Sequence, residues 1–297
     1  MRILLTGGEG FIGANLRSHF DKNNIDYILL SRNEWMGKDN FAKLSGILAS
    51  DEEYIFIHLA AISNIGYCDD NYDECFYVNS YAVEKLLEFL DRKKIKEFIF
   101  ASSMAVYGDI IDNGAEDNEL LGHNNYAKSK ILGEKFLESW VKKNNNYATI
   151  LRIGNCYGAT FDGKIYPRGV ISHIINSLLS NSDITLDFNS SSYKSAEKSF
   201  ISLDDLSSLF INIYFKKEQK NNLEVYNVVG DFHKSIYDIF RLATLQIKYN
   251  GVLNIKFSDQ VYNGVGSNTK AKNDLNWYPK SNLDSDIIRY LKTGRVL

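Results

Sequence analysis

The chain is poor in several features that mark particular classes of protein. No apolar run approaches the ~18 residues of a membrane-spanning helix, and the net charge of −3 gives no basis for binding nucleic acid or an anionic membrane. The cysteines Cys68, Cys75 and Cys156 are odd in number and lack metal-ligand spacing, which predicts free thiols in a reducing compartment and no metal site. Strand-like residues begin at Arg2 and leave no room for a signal peptide, so a cytoplasmic protein is expected.

What is present starts with a strand-like run that enters a glycine-rich turn. Ile3–Leu5 is apolar, Gly7, Gly10 and Gly13 follow, and a helical pattern begins at Phe11. A strand, a glycine turn and a helix N-terminus in this order bind a pyrophosphate, because backbone N–H groups and the positive end of the helix dipole meet the anion. A glycine-rich hairpin turn is the alternative, and the position directly after a strand favours a dinucleotide site.

Strand-like and helix-like segments alternate through the first half of the chain. Short, continuously apolar runs are typical of strands covered on both faces, and they occur at Tyr27–Leu30, Tyr54–Leu59, Glu97–Ala101 and Tyr147–Ile153. The helical patterns between them are Phe11–Phe20, Asp73–Arg92 and Tyr126–Lys143. This alternation predicts an α/β fold with a doubly wound parallel sheet, the Rossmann arrangement.

After Ile153 the pattern is less regular, which predicts a second, discontinuous domain. The expected elements are a helix at Gly169–Ser180, a strand at Ile184–Phe188, a helix at Leu203–Phe215, a strand at Leu223–Val229, and helices at Ile236–Ile247 and Leu283–Leu291. We assign residues 1–154 to a dinucleotide-binding domain, to which 203–229 returns. Residues 155–202 and 230–297 form the smaller substrate-binding domain in this interpretation.

The end of the second strand bears on the choice of cofactor. In dinucleotide-binding folds an acidic residue here favours NAD, because it binds the ribose 2′-hydroxyl. This chain has Ser31 and Arg32 instead, and a guanidinium suits a phosphate. The residues therefore favour NADP(H), with NAD(H) as the alternative if Arg32 is only a solvated charge and Glu34 supplies the acid.

A candidate acid–base group follows in the next part of the chain. Tyr126 and Lys130 are spaced i, i+4 and share one helix face, and a nearby ammonium lowers the pKa of a tyrosine. Tyr126 is therefore a plausible proton donor, and the hydroxyl of Ser103 on the preceding strand can hold the reacting oxygen. Tyr81 and Lys85 have the same spacing without a serine-bearing strand end before them, which indicates a surface pair.

The ordered motifs resemble the extended short-chain dehydrogenase/reductase family, the NAD(P)-dependent nucleotide-sugar epimerases, dehydratases and reductases. The matching segments cover almost the whole chain and are Thr6–Gly13, His58–Ala61, Asn79, Ser102–Gly108, Tyr126 with Lys130, Arg152–Gly158, Ser199–Asp205, Tyr226–Val228 and Leu275–Pro279. The resemblance implies that Ser103, Tyr126 and Lys130 form the catalytic triad. It also implies a homodimer, formed by the helices near Asp73–Arg92 and Tyr126–Lys143.

The resemblance and the spacing together assign the binding residues. The expected cofactor contacts are Gly7, Gly10, Phe11, Ile12, Ser31, Arg32, Leu59, Ala60, Ala61, Asn79, Ala101, Ser102, Tyr126, Lys130 and Ile153. The expected substrate contacts are Ser103, Met104, Ala105, Tyr126, Asn155 and Lys198. His58 is interpreted as a packed structural histidine.

Departures from the family pattern narrow the activity. Dehydratases of the family usually carry an acid two positions after the catalytic Ser/Thr or an Asp-Glu pair, and here Met104 and Ala105 follow Ser103. Members that combine 3,5-epimerisation with reduction use a cysteine and a histidine, at positions that hold Ala105 and about Gly169 in this chain. The usual Arg-Asp pair before Phe200, whose arginine binds the substrate diphosphate, is replaced by Lys198 and Ser199.

These features predict NADPH-dependent reduction of the C4 keto group of a nucleotide-linked 4-keto-6-deoxy-sugar, for the synthesis of surface polysaccharides. An NAD-dependent C4 epimerase is the main alternative, since it uses the same triad. A non-catalytic NADP-binding regulator is a more distant alternative.

Overall fold

The computed structural model describes residues 1–49, 52–90, 95–158, 169–215 and 221–293. Within these ranges the strands are, in chain order, β1 (Arg2–Thr6), β2 (Tyr27–Leu30), β3 (Tyr54–His58), β4 (Ile95–Ser103), β5 (Ile110–Gly114), β6 (Ala148–Ile153), β7 (Asn155–Tyr157), β8 (Ile184–Asn189), β9 (Glu197–Ser202), β10 (Leu223–Val228), β11 (His233–Ser235), β12 (Leu253–Ser258) and β13 (Gly264–Gly266).

The helices of the same ranges are α1 (Phe11–Lys22), α2 (Arg32–Trp35), α3 (Ala42–Leu48), α4 (Ile65–Asp70), α5 (Tyr72–Phe76), α6 (Ala82–Leu90), α7 (Asn125–Asn144), α8 (Val170–Leu179), α9 (Leu203–Phe215), α10 (Ile236–Thr244), α11 (Thr269–Leu275) and α12 (Leu283–Thr293). A π-helical turn occupies Tyr77–Tyr81 and a 3-10 turn occupies Met104–Tyr107. Across the described ranges, no helix has the length and apolarity needed to cross a membrane.

Six parallel strands form the main sheet, in the order β10-β6-β4-β3-β1-β2. The predicted Rossmann-like α/β fold is therefore confirmed. Apolar side chains from neighbouring strands meet in register, as where Phe56 of β3 stacks on Phe98 of β4 at a ring-centroid distance of 5.0 Å. Every residue of β3 and of β6 is buried, and both strands consist mainly of apolar residues without an alternating polar face.

The order of this sheet reverses at β1, since β2 lies on one side of it and β3 on the other. In open α/β sheets, ligands bind outside the carboxyl ends of the strands at such a switch point. The carboxyl ends of β1 and β3 lie in register there, with Thr6 opposite His58. The fold therefore places the glycine turn that follows β1 where a ligand is expected.

The predicted single helix over Asp73–Arg92 was wrong in detail. It begins as α5 at Tyr72, passes through the π-helical turn and continues as α6 to Leu90, and Arg92 lies outside the described residues. Helix α10 ends at Thr244, before the predicted Ile247. Several elements were not predicted, and most of them have too few residues to show a period. They are β5, β7, β9, β11, β12, β13, α2, α3, α4 and α11.

The prediction of three free thiols was wrong for two of the cysteines. Cys68 of α4 and Cys75 of α5 form a disulfide, with Cα atoms 5.2 Å apart. The two short helices meet at Asn71, and this turn brings residues seven positions apart side by side. Cys156 is free, and burial raises the pKa of its thiol to about 12. The Cys156 thiol is therefore protonated at neutral pH.

The described chain folds into two compact units. The first comprises Met1–Tyr107, Glu116–Arg152 and Phe210–Tyr226, and the second comprises Gly108–Ala115, Ile153–Leu209 and Asn227–Leu297. The sequence-based boundary at 154 differs from this division at 108–115, because these residues include β5, which pairs with β13.

The second unit has its own sheet and core. Its sheet has the order β11-β9-β13-β5, with β7 also paired to β9. Its apolar cluster is formed largely by α8, α10 and α12, with Ile174, Ile239 and Ile287 fully buried.

Asp205, in the first turn of α9, holds the segment that follows α11. The Asp205 carboxylate accepts backbone N–H groups from Lys280 at 2.8 Å and Ser281 at 2.9 Å. The Trp277 indole donates to the carbonyl oxygen of Asp205 at 3.1 Å. These contacts fix the segment from Trp277 to Ser281 against the first turn of α9.

Candidate active site

The glycine turn after β1 has no room for side chains. Gly7 has a φ of +69°, and a Cβ there would lie 2.7 Å from the backbone nitrogen of Ala60. A Cβ on Gly13 would collide with the carbonyl oxygen of Gly7. Gly10 is the N-cap residue of α1 and provides no capping side chain, so the positive end of the helix dipole suits an anion. These residues fit the pyrophosphate of a dinucleotide.

A buried polar contact joins the carboxyl ends of β1 and β3. The Thr6 hydroxyl lies 3.0 Å from Nδ1 of His58 and accepts a hydrogen bond from the Ala60 N–H at 3.3 Å. The ring of Phe100 stacks on His58 at a centroid distance of 5.9 Å. Burial lowers the pKa of His58 to about 3, and the Lys130 ammonium acts in the same direction, so the imidazole is neutral at physiological pH. His58 is thus a packed residue, as the sequence predicts.

The end of β2 carries Ser31 and Arg32, the two residues that favour NADP(H). Ser31 is the N-cap of α2, and its backbone N–H donates to the Glu34 carboxylate at 2.6 Å. The guanidinium of Arg32 is paired, since Nη2 lies 2.8 Å from Oε1 of Glu74. Glu74 follows 42 positions later in the chain, so the sequence alone did not reveal this partner. Arg32 is neither a lone solvated charge nor an unopposed cation.

The predicted triad comes from β4 and α7, two elements that pack together. Ser103 is the last residue of β4, and its Oγ accepts a hydrogen bond from the Ala105 N–H at 3.2 Å. Tyr126 is the second residue of α7. The Asn124 side chain caps this helix by accepting a backbone N–H of its first turn at 2.8 Å. The cap sets where the helix begins and therefore which face carries Tyr126 and Lys130.

Lys130 is buried inside the first unit, with only 1% of its surface exposed. Its Nζ lies 4.0 Å from the centroid of the Phe100 ring. Burial lowers the pKa of Lys130 to about 7, although the Glu134 carboxylate acts in the opposite direction. Lys130 therefore titrates near neutral pH, and a charge in this position is little screened by water.

A buried ion pair lies one helical turn after Lys130 and was not identified from the sequence. The Glu134 carboxylate accepts hydrogen bonds from the Arg152 guanidinium, with Nη2 and Oε2 2.8 Å apart, and from the Ser102 hydroxyl. Arg152 also donates to the Tyr107 hydroxyl at 2.8 Å. The network ties α7 to β4 and β6. The sequence did offer one signal for a buried Glu134. Its i, i+4 spacing from Lys130 places both side chains on one helix face.

Asn79, a predicted cofactor contact, uses its side chain to hold the segment after β3. Its Oδ1 accepts the Ile62 N–H at 2.8 Å, and its Nδ2 donates to the Ile62 carbonyl at 2.9 Å and to Ser129 Oγ at 3.0 Å. Asn79 thus braces the loop to α7, and its contact with the cofactor stays a prediction.

The other predicted cofactor residues lie at or just beyond the carboxyl ends of strands in the main sheet. Leu59, Ala60 and Ala61 follow β3, Ala101 and Ser102 belong to the end of β4, and Ile153 ends β6. Together with the glycine turn after β1, these residues are collected at one edge of the sheet. Their contacts with the cofactor stay predictions.

Asn155 and Lys198, the predicted substrate residues of the second unit, lie on the paired strands β7 and β9. Asn155 Nδ2 donates to the Ser199 carbonyl at 3.2 Å. Lys198 Nζ donates to the Tyr262 carbonyl at 2.5 Å, and burial lowers the pKa of this lysine. Lys198 therefore supports the fold of the second unit, and its contact with a diphosphate stays a prediction.

No group of three or more His, Cys, Asp and Glu side chains that could hold a metal ion occurs among the residues described by the structure.

The open parallel sheet, the glycine turn at its switch point and the triad at its edge are features of enzymes that use a nicotinamide dinucleotide. The profile of the NAD dependent epimerase/dehydratase family matches residues 3–229. The chain belongs to this family and is one of its enzymes.

Two curated relatives illustrate the range of reactions in the family. A dTDP-4-dehydro-6-deoxyglucose reductase of Escherichia coli is 27% identical, over 99% of this chain and 97% of the reductase. A dTDP-D-glucose 4,6-dehydratase of Dictyostelium discoideum is 28% identical, over 80% of this chain and 60% of the dehydratase. The chain thus spans nearly the whole reductase and about three fifths of the dehydratase.

Solved structures share the fold over almost the full length. The UDP-glucose 4-epimerase of Thermus thermophilus, in complex with NAD, has a TM-score of 0.84 at 19% identity, covering 98% of both chains. RMD from Pseudomonas aeruginosa, in complex with NADPH, has a TM-score of 0.81 at 19% identity, also covering 98% of both chains. Both NAD and NADPH therefore occur among proteins of this fold.

Proposed function

We propose that this protein is an NADPH-dependent reductase of the C4 keto group of a nucleotide-linked 4-keto-6-deoxy-sugar. The observation that carries the proposal is the buried lysine behind Tyr126. Lys130 lies one turn along α7 from Tyr126, on the helix that packs against the end of β4 where Ser103 lies. This arrangement suits proton transfer to a carbonyl oxygen that is being reduced.

Each member of the triad has a defined task in this reaction. A nicotinamide dinucleotide held at the glycine turn would supply the hydride for C4. Tyr126 would donate its phenolic proton to the C4 oxygen as negative charge develops there. Ser103 donates a hydrogen bond to the same oxygen. Its Oγ accepts the Ala105 N–H, which leaves the hydroxyl hydrogen for the substrate. Lys130 favours the phenolate of Tyr126, because the charged ammonium lies on the same helix face.

The residues after Ser103 support reduction over dehydration. Elimination of water needs an acid or base beside the sugar, whereas Met104 and Ala105 carry no ionisable group. Met104 is buried and Ala105 partly exposed, within the 3-10 turn. The match to nearly the full length of the Escherichia coli reductase supports the same choice.

In this proposal the substrate is a nucleotide sugar, and Ser103, Met104, Ala105 and Tyr126 of the first unit would contact its sugar. The substrate contacts of Asn155 and Lys198 stay predictions for the second unit taken by itself. The role in surface-polysaccharide synthesis remains a prediction from the family resemblance, and the cytoplasmic location remains a prediction from the N-terminal sequence and the cysteines.

An assay of net cofactor consumption tests the proposal. The purified chain is mixed with NADPH or NADH and a panel of 4-keto-6-deoxy-sugars linked to GDP, dTDP, UDP or CDP, and cofactor oxidation is followed by absorbance. We expect stoichiometric oxidation of NADPH with at least one member of the panel. Interconversion of C4 epimers without net cofactor consumption would contradict it.

An NAD-dependent C4 epimerase is the second candidate, and one observation favours it. The Arg32 guanidinium, the basis for expecting NADP(H), is paired with Glu74 at 2.8 Å. Epimerases of this kind oxidise and re-reduce the same carbon with a retained NAD. Co-purification of NAD with the chain, together with C4 epimerisation, would establish this alternative.

We further propose that the protein is a homodimer that pairs through α5, the π-helical turn, α6 and α7. Large side chains are exposed on two of these elements in the single chain, with Tyr72 of α5 at 50% and Tyr81 of the π-helical turn at 45%. Exposed aromatic side chains on neighbouring helices are typical of protein interfaces. Size-exclusion chromatography with light scattering should give twice the mass of the chain. The mass of a single chain would contradict the proposal.

A further inference from the structure

An ion pair at the end of β2 bears on which dinucleotide the chain binds. Arg32 begins α2, and its Nη2 lies 2.8 Å from Oε1 of Glu74 on α5. The second carboxylate oxygen of Glu74 accepts the Tyr67 hydroxyl at 2.6 Å. Both oxygens of Glu74 therefore have a partner, and α4 and α5 together hold the carboxylate against Arg32.

A second acid stands beside this pair. Glu34 accepts the Ser31 backbone N–H at 2.6 Å and forms an ion pair with Lys43 at 2.7 Å. Arg32 after β2 is thus paired with Glu74, and Lys43 of α3 with Glu34. The two negative charges offset the two positive charges, so the positive potential available to a phosphate at the end of β2 is reduced.

We propose that Glu74 shifts the dinucleotide preference of this chain toward NAD(H), by competing with the 2′-phosphate of NADP(H) for the guanidinium of Arg32. NAD(H), which lacks that phosphate, leaves the Arg32–Glu74 pair intact. NADP(H) gains the full contact with Arg32 only when the phosphate replaces the carboxylate. The proposal rests on the proposed function in one respect, namely that the adenosine ribose lies at the end of β2.

The chemistry of the pair makes such an exchange possible. The planar guanidinium donates hydrogen bonds to carboxylate and to phosphate oxygens alike, so a phosphate can take the place of the carboxylate at Arg32. The pair is exposed, with 55% of the Arg32 side chain and 42% of the Glu74 side chain accessible. Exposed pairs are weak and screened by salt. Glu74 therefore biases the choice between the two dinucleotides without blocking either.

The charge on Glu74 is present over the whole neutral range. Hydrogen bonds from Tyr67 and Arg32 keep the pKa of this carboxyl below its ordinary value. Protonation therefore does not release Arg32 at physiological pH, and the competition depends on the phosphate and the salt concentration.

The test compares NADP+ and NAD+ binding by calorimetry to the full chain and to Glu74→Gln, at low and at high salt. Glutamine keeps an acceptor for Tyr67 and removes the charge. We expect NADP+ affinity to rise about threefold to fivefold, the size typical of one exposed ion pair that no longer has to be broken. NAD+ affinity should stay unchanged, and the gain should shrink at high salt.

Three further variants test whether the rise in NADP+ affinity comes from the release of Arg32 and not from a general change in charge. Glu88→Gln removes the same charge from an exposed position on α6, and it should leave the NADP+/NAD+ ratio unchanged. Tyr67→Phe keeps the charge of Glu74 and loses one hydrogen bond, so a smaller rise is expected. Combining Arg32→Ala with Glu74→Gln should abolish the gain, because no guanidinium is left to be released.

An unchanged NADP+/NAD+ ratio in Glu74→Gln, with the native melting temperature, would overturn the proposal. So would a ratio that responds to Glu34→Gln and not to Glu74→Gln. Because the readout is binding, failure of the ketoreductase assay leaves this result intact, and the two proposals can fail separately.

Discussion

Two Tyr–Lys pairs with the same i, i+4 spacing occur in this chain, and the structure puts them in opposite environments. Tyr81 is 45% exposed, and the Nζ of Lys85 lies 5.3 Å from the centroid of the Tyr77 ring. Lys130 is 1% exposed, with its Nζ 4.0 Å from the centroid of Phe100. Both ammonium groups therefore lie over an aromatic ring, and burial is the property that separates them.

The difference shows what spacing can and cannot determine. An i, i+4 spacing places two side chains on one helix face, and it holds for both pairs. Whether that face is buried depends on what packs against the helix. Helix α7 packs against β4 and the turn after it, so the charge of Lys130 is shielded from water and salt and acts more strongly on its neighbours.

The largest expected effect separates the two tyrosines in catalysis. Tyr126→Phe should lower kcat by about 10²–10⁴-fold, the usual contribution of a general acid, while cofactor binding is kept. Tyr81→Phe removes the same hydroxyl from the exposed pair and should leave kcat unchanged. Steady-state kinetics and dinucleotide binding measured on both variants check this.

Full activity of Tyr126→Phe would remove the tyrosine from the mechanism. Equal losses in the two variants would show that the pairs are not functionally different, and would contradict the assignment of the active site.

The next largest effect concerns the contribution of the buried Glu134–Arg152 ion pair to stability. Glu134→Gln leaves Arg152 without its anion in a buried site, and we expect a loss of about 3–5 kcal/mol in the free energy of unfolding. Glu88→Gln, at an exposed position of α6, should change the free energy of unfolding by less than about 0.5 kcal/mol. Urea unfolding followed by circular dichroism measures both, and a small loss for Glu134→Gln would show that the pair adds little to stability.

The pH dependence of the unfolding free energy tests the difference in burial between Lys130 and Lys85. Burial lowers the pKa of Lys130 from 10.5 to about 7, so between these values the unfolded chain binds one proton more than the folded protein. The free energy of unfolding should therefore rise with pH in this window, by up to about 1.4 kcal/mol per pH unit. His58, whose pKa is about 3, does not titrate there.

The measurement is the difference in unfolding free energy between the native chain and Lys130→Met, taken from pH 7 to pH 9. This difference should rise with pH, whereas the difference for the exposed Lys85→Met should stay flat. A flat line for Lys130→Met would mean that the lysine keeps its ordinary pKa and is not effectively desolvated.

The smallest expected effect extends the comparison to a lysine of the second unit. Lys198→Ala should raise the KM for the nucleotide sugar by roughly tenfold with kcat nearly unchanged, since one charged hydrogen bond is worth about 1.5 kcal/mol. Lys194→Ala, at an exposed position of the same unit, should leave KM unchanged. If both variants behave like the native chain, the diphosphate is held elsewhere.

The elements with a strong period were predictable from the sequence, and the irregular ones were not. The apolar runs that became β2 and β6 were placed within a residue, because strands inside a parallel sheet leave a nearly continuous apolar signal. The π-helical turn at Tyr77–Tyr81 breaks a pattern that was interpreted as one helix. Short strands such as β7, with three residues, carry too few side chains to show a period.

The partners of the site residues were the main part that sequence reasoning missed. The triad of Ser103, Tyr126 and Lys130 could be predicted because Tyr126 and Lys130 are close in the chain and follow a strand that ends in serine, and its catalytic role stays a prediction. Glu74 and Arg152 were missed as partners of Arg32 and Glu134, because each pair joins separate elements. The disulfide between Cys68 and Cys75 was missed for a related reason, since it depends on the turn between two short helices.

The sequence by itself determined the parts of this protein that depend on local chemistry. Gly7, Gly10 and Gly13 specify the turn after β1. The apolar runs specify the strands of the parallel sheet, and the i, i+4 spacing places Tyr126 and Lys130 on one helix face. Only the tertiary structure showed how deeply Lys130 is buried, and that Arg32 faces an acid from α5. Burial and long-range charge pairing arise from segments far apart in the chain, so no local pattern specifies them.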